Sequence, residues 1–268
     1  RADSMAPMAL TAYEEVRPWA RSIKSRVQTR QMPPWHLDPT VGIQHYKNDR
    51  SLTQAQIDTI VGWVDAGAPQ GDPKDMPAPI QWPADQSWNY AKQLGQSEPD
   101  LIIKSAPWTQ KGGAQDTWWK SLVETGLTEA RWVRAIEIRP GTVKGRKITH
   151  HVLAYLQQDE KAAPAEFRSP IDPDDPAVTG AITRSFFMEW SVGKQGEMLR
   201  PNTGKLLLPG SRIDFDIHYS NGGEDITDQA ELGIYFYPKG FTPKFRTSLA
   251  FYGVDREGTT GIDLLPNQ

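Results

Sequence analysis

The segment Arg212–Ser220, "RIDFDIHYS", alternates between apolar and polar residues. Ile213, Phe215 and Ile217 fall on one side of an extended chain, and Asp214, Asp216 and His218 fall on the other. A period of two marks a strand with one face in a core and the other towards water. Similar short runs recur at Leu101–Ile103, Trp132–Ile138, Ile148–Leu156, Ser185–Trp190, Leu232–Tyr237 and Leu249–Tyr252, separated by turn residues. This series of strands, with almost no helical period between them, predicts a mainly β fold over residues 98–268: an antiparallel β-sandwich of jelly-roll-like kind. Ten Trp, 22 Gly and 22 Pro among 268 residues suit a fold that needs many turns and large packing anchors.

Outward from this core the pattern changes. Over residues 1–75 the chain reads as helical. Thr11 and Glu14 have the spacing of a capping box, and Tyr13, Val16, Ala20, Ile23 and Val27 form one apolar stripe. Pro18 fits either the first turn of a helix beginning near Arg17 or a kink in a longer one. Arg17, Arg21, Lys24, Arg26 and Arg30 make the solvated face. A second helix is capped by Thr53 with Gln56, buries Ile57, Ile60, Val61 and Val64, and stops at Gly67 before Pro69. Residues 76–97 are Pro-rich without a sustained period and read as a linker, pinned to a surface by Trp82 and Trp88.

Composition removes several function classes. A net charge of -3 leaves no basic footprint for nucleic acid. No apolar run approaches the roughly 18–20 residues of a transmembrane segment. The opening "RADSMAPMAL" lacks a signal-peptide pattern, and the missing initiator Met points to a processed or trimmed chain. With zero Cys, disulfides, thiolate metal ligands, iron–sulfur clusters, thioether-anchored haem and cysteine nucleophiles have no residue to form on, while the redox compartment stays open. No phosphate-binding glycine loop or nucleophile elbow is present. Asp172, Asp174 and Asp175 in "IDPDDP" read as Pro-Asp turns rather than a calcium loop.

Five histidines remain. His150 and His151 open "HHVLAYL", and His218 closes the strand quoted first, so three imidazoles lie on predicted strands of one domain. Imidazole donors suit Cu, Zn, Fe or Ni, and without thiolate the leading candidates are copper and zinc. Adjacent strand residues point to opposite faces, so His150 and His151 can share an ion only where the strand is bulged, twisted or just beginning. Otherwise one ring is buried against a carbonyl and the other is exposed. Asp214 or Asp216 is the candidate carboxylate to orient His218. His36 and His45 have no evident partner and read as structural, and Met188 and Met198 as packing residues.

The segments "RWVRAIEIRPGTVKGRKITHHVLAYL", "LLLPGSRIDFDIHYSNGG" and "ELGIYFYPK" resemble the first domain of the copper type II, ascorbate-dependent monooxygenases, the peptidylglycine alpha-hydroxylating and dopamine beta-hydroxylating group, and most closely its bacterial relatives. In that group an adjacent His pair and a later His-Tyr on a strand hold the electron-storing copper. The resemblance places those ligands on His150, His151 and His218, with 67 residues from His151 to His218. The N-terminal segments "MAPMALTAYEEVRPWARSIKSRVQTRQMPPWH" and "NDRSLTQAQIDTIVGWVDAGAPQGDPKDMP" resemble the part of a small cytochrome c domain that follows its haem-attachment motif. On that resemblance Met32 is the place for an axial sulfur if haem were present; without attachment cysteines, haem is not expected and Met32 reads as a packing residue beside Trp35.

The family's hydroxylation also needs a second copper, on a His-x-His and a distant Met, and no His follows His218 here. The resemblance therefore implies a periplasmic or otherwise extracytoplasmic accessory or electron-transfer protein with a mononuclear three-His copper site, served by a redox partner or docked on a larger assembly. Two alternatives stand beside it: a fragment of a haem-copper monooxygenase acting on a small organic substrate, and a purely structural subunit of a membrane-associated complex.

Overall fold

The computed structural model describes residues 8–35, 37–38, 40–42, 45–46, 49–78, 87–168, 185–194 and 196–247. They fall into two compact units, built mainly on Ala6–Trp82 and Pro83–Gln268. The expected strand at Leu249–Tyr252 and the "IDPDDP" turns lie outside the described residues.

The first unit contains helices α1 (Tyr13–Val16), α2 (Ala20–Gln28) and α3 (Gln54–Asp65). The predicted stripe is the inward one: Ala20 and Val27 are buried, and Tyr13, Val16 and Ile23 are half-buried. Pro18 lies in a short 3-10 turn, Arg17–Trp19, between α1 and α2, where its missing N–H costs no helical bond. The cap before α1 is shifted from the expected residue. Glu15, not Glu14, accepts from the Thr11 hydroxyl and from the backbone N–H groups of Thr11 and Ala12. The Thr53 box at α3 forms as expected, with Gln56 N–H donating to the Thr53 hydroxyl and the Gln56 amide oxygen accepting from Thr53 N–H. After α3 the chain turns through Gly67 at φ +89, a conformation glycine takes without the Cβ penalty.

The second unit is a β-sandwich of β1 (Leu101–Lys104), β2 (Trp108–Gln110), β3 (Thr117–Glu124), β4 (Arg131–Pro140), β5 (Thr149–Gln157), β6 (Ser185–Ser191), β7 (Gly196–Met198), β8 (Thr203–Leu207), β9 (Arg212–Tyr219), β10 (Ile226–Asp228), β11 (Ala230–Phe236) and β12 (Phe245–Arg246). One sheet runs β1-β11-β4-β8-β12 with β7 also on β4; the other runs β3-β9-β5-β6; β10 and β2 form a short separate pair. All pairings are antiparallel except the short β8-β12 contact.

Alternation explains the packing. Ile213, Phe215, Ile217 and Tyr219 of β9 are 0% exposed and meet Val133, Ile136, Leu232 and Ile234 of the facing sheet in one cluster. Burying an aliphatic or aromatic side chain of this size is worth about 1.5–3 kcal/mol. Met188 is buried in the same core, as expected for a packing residue. The opposite face of β9 is left to carry His218.

Residues 87–97, which read as linker, belong to the second unit. Helix α4 (Asn89–Gln93) lies on the sheet, with Trp88 and Ala91 buried beside Ala135 and Tyr235 and with Met198 packed against them. A buried carboxylate holds it there. Glu137 of β4 is 2% exposed and accepts from the backbone N–H groups of Asn89 and Tyr90, from the Asn89 amide and from the Tyr235 hydroxyl. An acidic group at these first-turn amides fills the orphan donors of a helix start. Glu137→Ala strands several buried donors at once, so it is expected to cost about 2–4 kcal/mol of stability. Urea unfolding monitored by tryptophan fluorescence checks this, and an unchanged midpoint contradicts it.

Candidate metal centre

The second sheet places its three histidines at one end of its outer face. In the β5-β9 pairing Thr149 lies opposite Tyr219 and His151 opposite His218, so His150 is an extra residue, a β-bulge. Its effect follows from the period of two. Thr149 and Val152 both point inward and are 0% exposed, while His150 and His151, between them, are left exposed and half-buried. The bulge removes the objection that neighbouring strand residues cannot face one way.

The turn before β5 secures the bulge. The Thr149 hydroxyl donates to the Gly145 carbonyl at 2.8 Å. Asp228, at the end of β10, accepts from the Thr142 N–H and the Thr142 hydroxyl, both at 2.9 Å. A Cβ on Gly145 would lie 2.2 Å from the Asp228 Cγ, so only glycine lets the turn come this close to the carboxyl.

At the site itself, His150 Nδ1 lies 3.1 Å from His151 Nδ1 and 2.9 Å from His218 Nδ1. One ring nitrogen from each residue falls within 4.8 Å of those of the other two, so the three could hold a single metal ion. Among the described residues no other group of His, Asp and Glu does so. The donor set fits a borderline ion: three neutral nitrogens, no thiolate and no carboxylate.

Two further residues complete the site, and neither was singled out from sequence. Asp116, just before β3, accepts at 3.0 Å from His218 Nε2, with the Ser220 hydroxyl donating to the same carboxylate oxygen at 3.0 Å. Asp214 and Asp216 were the expected orienting residues; the carboxylate at Nε2 is Asp116, while Asp216 faces Lys120 across the β3-β9 pair. Trp118, opposite His218, stacks on its ring at 4.5 Å between centroids and 3° between planes, and meets His151 edge-on at 5.0 Å. The indole is 55% exposed, so it shields one side of the trio while the His150 side stays open.

The electrostatics suit ligation. Burial, and then the charges of His218 and His150 when protonated, hold the His151 ring below the ordinary imidazole value, against the pull of Asp216 and Glu189. His151 thus keeps its lone pair to lower pH than a solvated imidazole does. The Ser220 hydroxyl foremost, with the His218 ring after it, holds Asp116 below the usual carboxylate range against the opposing effect of burial.

Among the described residues, His45 does not belong to this group. His45 is exposed, and His36 lies outside the described residues. Met32 is 54% exposed and lines a cavity of about 90 Å³ in the first unit with Val27, Arg30, Pro33 and Trp35. With no cysteine in the chain, these residues offer no covalent anchor for haem. The chain matches no known protein-family profile, and no curated protein is significantly similar to it.

Burial raises the Asp228 carboxyl to about 6, against hydrogen bonds from Thr142, the Gln229 backbone and Thr149. The folded value lies above that of an unfolded Asp, so the folded chain holds this proton more tightly. The resulting stability is complete below about pH 4 and is lost as pH rises through about 6, a change of about 3 kcal/mol. Asp228→Asn does not titrate in this range. The stability of the native chain relative to this variant is therefore expected to fall by about 3 kcal/mol between pH 4 and pH 7.5, read by urea unfolding at both values; a constant difference contradicts the assignment. Gly145→Ala forces the turn off Asp228 and is expected to cost about 1–3 kcal/mol in the same assay.

Proposed function

We propose that this chain is an extracytoplasmic accessory or electron-transfer protein in which His150, His151 and His218 hold one copper ion. The observation that carries this reading is the convergence of three imidazoles, with His150 Nδ1 3.1 and 2.9 Å from the Nδ1 atoms of His151 and His218 and one nitrogen of each ring within 4.8 Å of the others. The resemblance to the electron-storing domain of the copper type II monooxygenases chooses copper over zinc and the extracytoplasmic side over the cytoplasm.

Copper on three neutral imidazoles supplies a one-electron Cu(II)/Cu(I) couple of type 2 character. The protein's part is to bind and to orient. Residue 150 is turned outward by the bulge, Trp118 stacks on the His218 ring, and Asp116 engages its outer nitrogen. The exposed edge at His150 leaves the site within reach of a redox partner at the surface. Electron storage is favoured over hydroxylation because the resemblance is to the electron-storing domain, whose His pair and later His-Tyr correspond to His150, His151 and His218. The Met32 cavity contributes no step.

Protein purified without chelator and loaded with copper is expected to bind one ion per chain, to give an axial type 2 electron paramagnetic resonance spectrum, and to lose that spectrum on adding ascorbate. His150→Ala and His218→Ala are each expected to weaken copper binding by at least about 100-fold, more than the loss of an outer hydrogen-bond partner costs a metal site. Substoichiometric binding, absence of the type 2 signal, or unchanged affinity in the variants overturns the proposal.

A further inference from the structure

A neutral imidazole carries one proton on one of its two nitrogens, and a hydrogen bond at one nitrogen therefore decides the state of the other. His218 has such a bond. Its Nε2 lies 3.0 Å from Asp116 Oδ2, an acceptor that also receives the Ser220 hydroxyl. An ionised carboxylate has no hydrogen to give, so the proton in this contact belongs to His218 Nε2 and its Nδ1 is bare.

The consequence passes to the next ring. His150 Nδ1 is 2.9 Å from that bare Nδ1, a normal hydrogen-bond length. Two unprotonated lone pairs at this separation repel, so one proton must lie between them. With His218 already protonated at Nε2, that proton is on His150. Among the described residues neither His150 nor His151 has a protein partner at Nε2. Only His218 is fixed from outside the trio.

The geometry points to Asp116 as a positioning residue: it holds His218 as the Nε2–H tautomer and, through His218, sets His150 as the Nδ1–H donor of the metal-free trio. His218 then presents a ready ligand, its ring further restrained by the parallel Trp118 indole. His150 is the ligand that must change. For His150 Nδ1 to serve as a ligand, its proton would have to pass to solvent and another be taken up at Nε2, which has no protein partner among the described residues, with no net change in proton count. The ligand role of the trio rests on the copper reading above, whereas the tautomers belong to the metal-free chain and are measured without copper.

The experiment uses the full chain, labelled with ¹⁵N and stripped of metal, at about pH 8, well above the ordinary imidazole value. Long-range ¹H–¹⁵N correlation spectra distinguish a protonated from a bare ring nitrogen, and His218→Gln and His150→Gln assign the two rings. The expected result is Nε2–H for His218 and Nδ1–H for His150. Asp116→Ala should bring both rings to the mixed tautomers of a solvated imidazole, and Asp116→Asn, whose amide oxygen can accept the same bond, should restore His218. Titration with Zn²⁺ as a spectroscopically silent probe should show affinity about 10–100-fold lower in Asp116→Ala than in the native chain. Nδ1–H on His218 in the native chain, or tautomers unchanged by Asp116→Ala, overturns the proposal. Correct tautomers in a chain that binds no copper overturn the copper reading alone.

Discussion

Thr149 must face the core while His150 and His151 both face out, and a strand of strict period two cannot satisfy all three. The extra residue in β5 resolves the conflict, and the rest of the site depends on it. Losing a ladder position has a cost, since the bulged residue leaves its hydrogen bonds unpaired with the neighbouring strand. The offset comes from beneath: Thr149 is buried and anchored to Gly145, and Gly145 is seated against Asp228. A buried carboxyl on one strand pair thus fixes the direction of two imidazoles on another, without touching either of them.

The trio stores unfavourable energy of a second kind. With His150 Nδ1 within hydrogen-bond range of the Nδ1 atoms of His151 and His218, the three cannot all be bare, and charging His151 is opposed first by its burial and then by repulsion from the other two rings. Such a cluster persists only where the surrounding structure is stable enough to impose it. Here the imposing structure is the core face of β9 and β5, where Val152, Ile213, Phe215, Ile217 and Tyr219 are fully buried. The alternation that fills the core is the same alternation that presents His218, so stability and site are two faces of one strand.

Much of this was legible in the chain. The period of two in β9 is a local property of nine residues, and it correctly gave both the inward set and the outward His218. The Thr53 box was legible because a cap spans only four positions. What was not legible depends on register between distant strands. Asp116 reaches His218 across 102 residues, and nothing in "GGAQDTWW" marks an acid whose strand will pair with β9. Glu137 escaped notice for the same reason: it sits at an outward position of β4, and it became a cap only because α4 folds over that face. The segment from 87 to 97 looked like linker because five helical residues are too few to show a period. The bulge was legible only as a condition: the sequence said that two adjacent histidines need one, and the Thr149 anchor that produces it lies in a turn without a distinctive motif.

The character of the site follows from which residues are held and which are left open. His218 is braced at its outer nitrogen by Asp116 and over its ring face by Trp118; His151 is partly buried and meets the same indole edge-on; His150 is exposed. Two rings of the trio are therefore restrained and one is open to solvent. Neutral nitrogen donors without bound carboxylate disfavour hard cations such as Ca²⁺ and Mg²⁺, which require several oxygens. For a one-electron carrier such a division is useful. On the proposed copper reading, the restrained pair would limit the reorganisation that accompanies a change of charge, while the exposed third ring would keep the centre at the surface, open to direct approach by a partner.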